Sequence, residues 1–159
     1  MKLEVNIMDK LEKFSLYQGK DVDVLDSQIV NLLEGYDNGY VIFVTRRMSS
    51  KAGFTYTDEM MIATAASELS TNIIRYAKQG EIIISIIRDL NYRRRGIEIY
   101  ASDLGPGIIS IALAMKEEYS SMPNSLGLGL PSVKRIMDDF YIESYLEIGT
   151  RIIGRRWKE

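Results

Sequence analysis

The stretch TDEMMIATAASELSTNIIRYAKQG, residues 57–80, holds the strongest helical pattern in this chain of 159 residues. Thr57 is of a type that often caps the start of a helix, and Gly80 is of a type that often follows the end of one. Apolar residues recur between them at every fourth position, as on the buried stripe of an amphipathic helix: Met61, Ala65, Leu69, Ile73 and Ala77. The pattern predicts a helix over residues 58–78.

The segments after this helix predict an antiparallel sheet. Residues 81–88 and 96–102 are two apolar runs joined by a polar turn, and the second run alternates apolar with polar side chains. Residues 141–146 and 151–157 predict a closing hairpin. Sequential strands joined by short turns pair antiparallel, so most of the sheet should have that arrangement.

The remaining elements complete a two-layer arrangement. Residues 28–34 predict another strand, whereas residues 1–27 form a charged segment that could be a short amphipathic helix or a loose arm. Helices are expected in three further places: residues 41–52, residues 108–116 and from Pro131 onward. The prediction is an α/β (α+β) two-layer sandwich, in which helices cover one face of a mixed, mostly antiparallel sheet.

The composition excludes several kinds of active site. The chain has no His and no Cys, so it can form neither a Ser-His-Asp triad, nor a thiol nucleophile, nor a disulfide, nor a His- or Cys-ligated zinc site. Its 20 basic and 22 acidic side chains leave a formal net charge of −2, which argues against a dedicated nucleic-acid binder. With a charged N-terminus and no apolar run of membrane-spanning length, we expect a cytoplasmic protein with neither a nucleic-acid nor a membrane partner.

Glu68 and Asn72 are the first candidate site residues. They are four positions apart on the predicted long helix, so they project from neighbouring turns on the same side. A carboxylate and an amide at the margin of the core could act as a general base and a metal ligand. The alternative is an ordinary polar helix margin.

Two glycine-containing segments are the next candidates. Asp103, Gly105 and Gly107 follow a predicted strand, where the carboxylate could accept a hydrogen bond from an exocyclic amine and the glycines could let a ligand approach the backbone. Residues 125–130 lead into a helix, and glycines there would expose N–H groups to a phosphate. Thr150 begins the last strand. Each segment alone could also be an ordinary turn.

In this order, the four patterns resemble the N, G1, G2 and G3 boxes of the GHKL ATP-binding superfamily, which has the Bergerat fold. Within the superfamily, the chain is most similar to the small anti-sigma-factor serine kinases, and among them to the switch kinases of stressosome modules. The longest matching phrase is GLGLPSVKRIMDDF, residues 127–140. The resemblance covers roughly residues 28–159, which we expect to be the kinase domain, with residues 1–27 as an N-terminal extension.

The resemblance implies a role for each candidate. Glu68 would be the catalytic general base, and Asn72 would hold Mg²⁺ on the ATP phosphates. Asp103 would receive the adenine amino group, and the Thr150 hydroxyl would support adenine recognition. The other ATP contacts would come from the glycine-rich boxes and one cation: Gly105, Gly107, Gly127, Leu128, Gly129 and Arg75. For Arg75, a solvated helix arginine is the alternative.

The function implied by the resemblance is an ATP- and Mg²⁺-dependent serine/threonine protein kinase that switches partners. It would phosphorylate a STAS-domain scaffold or antagonist and activate a PP2C-type phosphatase in stress signalling, with a sigma factor or a second messenger as the output. The alternative is a nucleotide-gated, anti-sigma-type binding module with little or no kinase activity. Residues 119–125, the expected lid, contain no cation, which leaves the transfer rate open. Dimerisation, partner docking and disorder stay open for residues 1–27.

Overall fold

The computed structural model describes residues 22–35, 38–116 and 129–159, and it has the expected α+β sandwich architecture. The elements, in chain order, are β1 (Val22–Leu33), α1 (Gly39–Ala52), α2 (Tyr56–Asn72), a π-helical turn (Ile73–Ala77), β2 (Gln79–Asp89), β3 (Arg95–Asp103), α3 (Ile111–Ala114), α4 (Gly129–Ile136), β4 (Asp139–Tyr145) and β5 (Gly149–Trp157).

The five strands form one sheet in the order β1-β2-β3-β5-β4, and every pairing is antiparallel. We expected a mixed sheet, but the described strands contain no parallel pairing, so this part of the prediction is wrong. The helical hairpin of α1 and α2 explains the pairing of β1 with β2. Asn38, which precedes α1, donates from its side chain to Ser67 and Thr71 near the end of α2, so the chain returns to the sheet where β1 left it.

The hydrophobic core lies between the helices and one face of the sheet. Alternate residues of the central strands, such as Ile82, Ile84 and Ile99, are completely buried against the helices. Ile62 and Leu69 of α2 meet them from the other layer. Burying side chains of this size stabilises the fold by about 1.5–3 kcal/mol each before the entropy of ordering is counted. α2 is thereby held rigidly over the sheet.

The long helix begins two residues earlier than the sequence indicated. Its N-cap is Thr55, whose hydroxyl accepts the backbone N–H of Asp58 at 3.2 Å, so the expected cap at Thr57 is wrong. Phe54, directly before the cap, is buried, and this contact fixes where the chain turns into α2. Of the expected stripe, Ala65, Leu69 and Ile73 are buried. Ala77 is partly buried, and Met61 is exposed because its neighbour Ile62 takes the core position.

The helix also ends differently. The last turn, Ile73–Ala77, is a π-helix, and Lys78 at φ 70° ends it, donating its backbone N–H to the carbonyl of Ile73 at 2.8 Å. Gly80, which we expected at the helix exit, lies within β2. π-turns widen a helix and are frequent at functional sites. This one directly follows Asn72.

The first strand is longer than expected. β1 begins at Val22 rather than at Gln28, so residues 22–27 belong to the sheet. The expected helix or arm in the remaining part, residues 1–21, lies outside the described residues. The other expected elements are present, although α3 is only four residues long, from Ile111 to Ala114.

Candidate functional site

Glu68 and Asn72 lie side by side at the end of α2 and face the start of α4. A Cβ atom built on Gly129, the first residue of α4, would lie 3.2 Å from Oε2 of Glu68 and 3.5 Å from Nδ2 of Asn72. The carboxylate, the amide and the α4 backbone therefore form one cluster. A side chain at this position would press on the Glu68 carboxylate and touch the Asn72 amide.

The π-turn after Asn72 moves the following side chains to positions that a regular helix would not give them. Tyr76 and Ala77 line a cavity next to Asn72. Arg75, on the same turn, is exposed and is not among the residues lining that cavity. Sequence reasoning thus missed Tyr76, although an aromatic residue four positions after Asn72 could have drawn attention to it.

Asp103 is the partly buried carboxylate at the end of β3. Its Oδ1 accepts the backbone N–H of Gly105 at 2.9 Å. Burial raises the pKa of Asp103 above its ordinary value, while hydrogen bonds from the backbone N–H groups of Gly105 and Thr150 act in the opposite direction. A carboxylate held in this way is oriented by the backbone and can still accept a further donor from a ligand.

The loop after Asp103 is held by the β4–β5 turn. The backbone N–H of Glu147 donates to the carbonyl of Pro106 at 2.8 Å. Gly107, at φ 76°, comes so close to the carbonyl of Tyr145 that a Cβ atom there would clash with it. The glycine is required both for its backbone conformation and for this close approach. The loop is thus fixed against the last hairpin.

Ser144 connects this loop to Thr150. Its hydroxyl accepts the N–H of Ile108 at 2.8 Å and lies 2.7 Å from the Thr150 hydroxyl. The same oxygen is 3.2 Å from the carbonyl of Gly149. Sequence reasoning did not find Ser144, because the loop that it supports is distant in the chain and its neighbourhood contains no recognisable motif.

A cavity of about 380 Å³ brings most of these groups together. Its wall combines Leu69, Asn72, Ile73, Tyr76, Asp103, Gly107, Gly129 and Thr150 with other, mainly apolar residues. Glu68 is not among the lining residues and lies beside the cavity, next to Asn72 and Gly129. An apolar cleft with a few convergent polar groups is typical of a site for a small organic molecule.

Asn72 could supply one of the several oxygen ligands that Mg²⁺ requires. Among the described residues, no group of three or more Asp, Glu, His or Cys side chains could hold a metal ion. Mg²⁺ prefers oxygen ligands and commonly binds one or two protein groups together with substrate phosphates and water. The amide oxygen of Asn72, next to the glycine backbone of α4, fits an ion that arrives with phosphates.

The chain has clear relatives. Residues 39–153 match the family described as the histidine kinase-like ATPase domain. The chain belongs to this family. The expected GHKL membership is thereby confirmed, and the antiparallel sheet with its helical layer is consistent with it.

Two curated proteins show how far the similarity extends. Serine/threonine-protein kinase RsbT of Bacillus subtilis (strain 168) is 36% identical over 132 residues, which are 83% of this chain and 97% of that protein. An anti-sigma F factor of Clostridium kluyveri is 33% identical over 98 residues, which are 60% of this chain and 68% of that protein. The first match covers almost the whole of the relative.

The other expected positions of this histidine kinase-like ATPase domain are placed as follows. Gly105 lies in the loop after Asp103, where a Cβ atom would be 2.5 Å from Cβ of Ala77, so the loop packs on the π-turn. Gly127 and Leu128, together with the lid at residues 119–125, lie outside the described residues. In the part of the chain that the structure describes, no helix has the length and apolar character needed to cross a membrane.

Proposed function

We propose that the protein is an ATP-dependent serine/threonine protein kinase that also acts as a partner-switching regulator. The observation that carries the proposal is the grouping of Asp103, Asn72 and Gly129 around one cavity, with Glu68 next to the amide of Asn72. The similarity to a serine/threonine-protein kinase over most of both chains supports the same activity.

In this proposal, the cavity takes the adenine end of ATP. Asp103 accepts the exocyclic amino group, Thr150 supports that contact, and the ring of Tyr76 flanks the base. The loop from Asp103 to Ile108 provides the wall, in which Gly107 lines the cavity and Gly105 lets the loop pack closely on the π-turn. The partly apolar lining supports this assignment, because a flat aromatic base gains from leaving water.

The phosphates extend from the cavity toward Asn72 and the start of α4. Gly127, Leu128 and Gly129 would supply backbone N–H groups, which suit negative charge at a helix start. Arg75 would reach the phosphate chain from outside the cavity wall. Mg²⁺, bound to Asn72 and the phosphates, would neutralise charge that builds up during transfer.

Glu68 is proposed as the catalytic base. As the carboxylate next to Asn72, it would accept the proton of the attacking serine or threonine hydroxyl while the γ-phosphoryl group moves to the oxygen. The bond between the γ-phosphorus and the bridging oxygen breaks, and ADP leaves with that oxygen. Because the chain contains no His, a carboxylate is the natural base for this step.

For the partners, we propose a STAS-domain scaffold or antagonist as the phosphorylated substrate and a PP2C-type phosphatase as the protein activated by binding. We place the protein in the cytoplasm, in a stressosome-type pathway. Residues 28–159 would be the kinase domain, to which residues 22–27 contribute the start of β1. A homodimer is one arrangement that this function allows.

The experiment mixes the protein with Mg²⁺-ATP and a STAS-domain protein encoded next to it, and follows phosphoserine by mass spectrometry. Phosphoserine on the partner supports the kinase. The Glu68→Gln variant is the control, since it should bind ATP without efficient transfer. The anti-sigma F factor similarity favours one alternative, a nucleotide-gated binding module. Nucleotide-dependent binding with no phosphoserine would favour that alternative and reject the kinase.

A further inference from the structure

The sheet has an open edge at β1. Among residues 22–35, 38–116 and 129–159, β1 pairs only with β2 and stands at one end of the strand order. With twelve residues, Val22–Leu33, it is the longest strand in this part of the chain. Along its free side, backbone N–H and C=O groups point away from β2 and can pair with a further strand. Such an edge is a template for pairing with another chain.

The second half of β1 lacks the features that usually protect an edge strand. Residues 27–33, SQIVNLL, contain no charged residue and no proline. The β-bulge of the strand lies earlier, between Val24 and Asp26. The other edge strand, β4, has only seven residues and carries Asp139 and Glu143. Uncharged edge strands of this length favour pairing or aggregation unless they are covered. We therefore expect the edge of β1 to be covered in solution.

The exposed side chains of this edge include large apolar ones. Val30 and Leu32 point to the helical layer and are buried in the main core, so the alternate residues face the other side of the sheet. Of these, Ile29 is 60% exposed and Leu33 is 47% exposed. Side chains that face each other on adjacent strands lie about 4.5–5.5 Å apart, so an added strand would cover both.

The acidic residues at the two ends of this run are neutralised within the chain. Lys51 binds Asp26 at 2.6 Å, and Lys78 binds Glu34 at 3.2 Å. A partner strand would therefore not have to supply cations to these carboxylates. An uncharged run with neutralised ends suits a partner strand that is itself uncharged and partly apolar. A second copy of β1 has this character.

The side chains of β1 match their own copies best when a two-fold axis passes at Ile29. In an antiparallel pair around this axis, Ile29 meets its own copy and Ser27 meets Asn31, so apolar faces apolar and polar faces polar. An axis one residue later would place Asp26 opposite Glu34, and facing like charges destabilise a strand pair. An axis one residue earlier would place Ile29 opposite Ser27, and the apolar contact would be lost.

We propose that two copies of the chain pair through β1, antiparallel and with the two-fold axis at Ile29. The two five-stranded sheets then form one continuous sheet of ten strands. Because the axis is perpendicular to the sheet, both helical layers lie on the same side of it. The proposed function allows a homodimer, and this inference assigns its interface. The interface does not depend on ATP binding or on phosphoryl transfer, so it is tested without nucleotide and stands or falls separately from them.

Sedimentation equilibrium of the full chain tests the proposal. At high micromolar concentration, the chain should sediment with twice its mass of 18.1 kDa. Ile29→Lys places two like charges at the axis and should raise the dimer dissociation constant by about tenfold or more. Phe43→Lys is the matched control, because Phe43 of α1 is 59% exposed, and its dissociation constant should stay within about twofold of the parent value. A monomer at every concentration, or a dimer that Ile29→Lys does not weaken, would overturn the proposal.

Single cysteines test the register, even if the lysine variant unfolds, because the chain has no native Cys. Ile29→Cys should form a disulfide between two copies under mild oxidation, since facing Cα atoms of an antiparallel pair are about 4.5–5.5 Å apart, within the range of a disulfide. Ser27→Cys should cross-link to a size-tagged Asn31→Cys chain more than either does to itself. Phe43→Cys is the control and should stay unlinked. No disulfide at position 29, or one that forms equally fast at position 43, would contradict the interface.

Discussion

The first residue of α4, Gly129, faces the carboxylate of Glu68, since a Cβ atom added to it would lie 3.2 Å from Oε2. The amide of Asn72 lies only slightly farther away, with Nδ2 at 3.5 Å from the same point. The space in front of α4 is therefore shared by a candidate base, a candidate magnesium ligand and a helix start. A phosphate placed there would meet all three.

Gly129→Ala is expected to weaken Mg²⁺-ATP binding while leaving the fold intact. The added methyl group would press on the Glu68 carboxylate and narrow the space for a phosphate beside Asn72, and we expect a loss of affinity of about tenfold. Alanine is also a better helix former than glycine, so thermal stability should not fall. Calorimetric titration and thermal unfolding measure the two effects. Ser132→Ala in the same helix is the control, and equal ATP affinity in both variants would contradict the assignment.

Glu68→Gln is expected to separate binding from chemistry. The amide keeps the size of the side chain but cannot accept the proton, so transfer should slow by about 10²–10⁴-fold while ATP affinity stays within a few-fold. Glu59→Gln makes the same change in the same helix, where the carboxylate bonds instead to Arg46 at 3.0 Å. Glu59→Gln should transfer at the parent rate. If the Glu68→Gln variant transfers phosphate at the parent rate, Glu68 is not the base.

Asp103→Asn is expected to change how stability depends on pH. Burial raises the native pKa of Asp103, so the folded state holds this proton more tightly than the unfolded chain. Its contribution to stability therefore falls as the pH rises from the unfolded pKa through the native pKa, and the asparagine variant lacks this loss. The melting temperature of the variant, relative to the parent, should be higher at neutral pH than near pH 4. A pH-independent difference would contradict this.

Ser144→Ala is expected to loosen the loop that follows Asp103. The change removes the acceptor of the partly buried Ile108 N–H and the hydrogen-bond partner of the Thr150 hydroxyl, which should lower stability by about 1–3 kcal/mol. ATP affinity should fall as well, because the adenine wall would no longer be held in place. Denaturant unfolding and calorimetry measure both effects. Thr64→Ala removes an exposed hydroxyl that donates to the carbonyl of Met60, and it should change neither.

The sequence patterns predicted those parts of the site that depend on local spacing. Glu68 and Asn72 share one side of α2 because four residues nearly complete a helical turn. The alternation of apolar and polar side chains over residues 96–102 predicted β3, and Asp103 lies at the end of that strand. The buried positions of Ala65, Leu69 and Ile73 follow from the same periodicity. All of these relations lie within a few residues of the chain.

Features that depend on tertiary packing or on irregular backbone were not predictable. The N-cap of α2 at Thr55 follows from the burial of Phe54, and the π-turn is closed by the bond from Lys78 back to Ile73. Ser144 supports a loop 36 positions earlier in the chain. Spacing alone does not show that the π-turn brings Tyr76 into the cavity and leaves Arg75 outside its wall.

A comparison of ATP with GTP binding tests the central claim most directly. The Asp103 carboxylate should accept a hydrogen bond from the amino group of adenine, whereas guanine presents a carbonyl oxygen at that position, and two acceptors repel each other. Calorimetric titration in Mg²⁺ should therefore give one ATP site per chain and at least about 100-fold weaker binding of GTP. The difference should shrink in Asp103→Asn. Equal affinity for the two nucleotides, or no binding of ATP, would contradict the proposed ATP site.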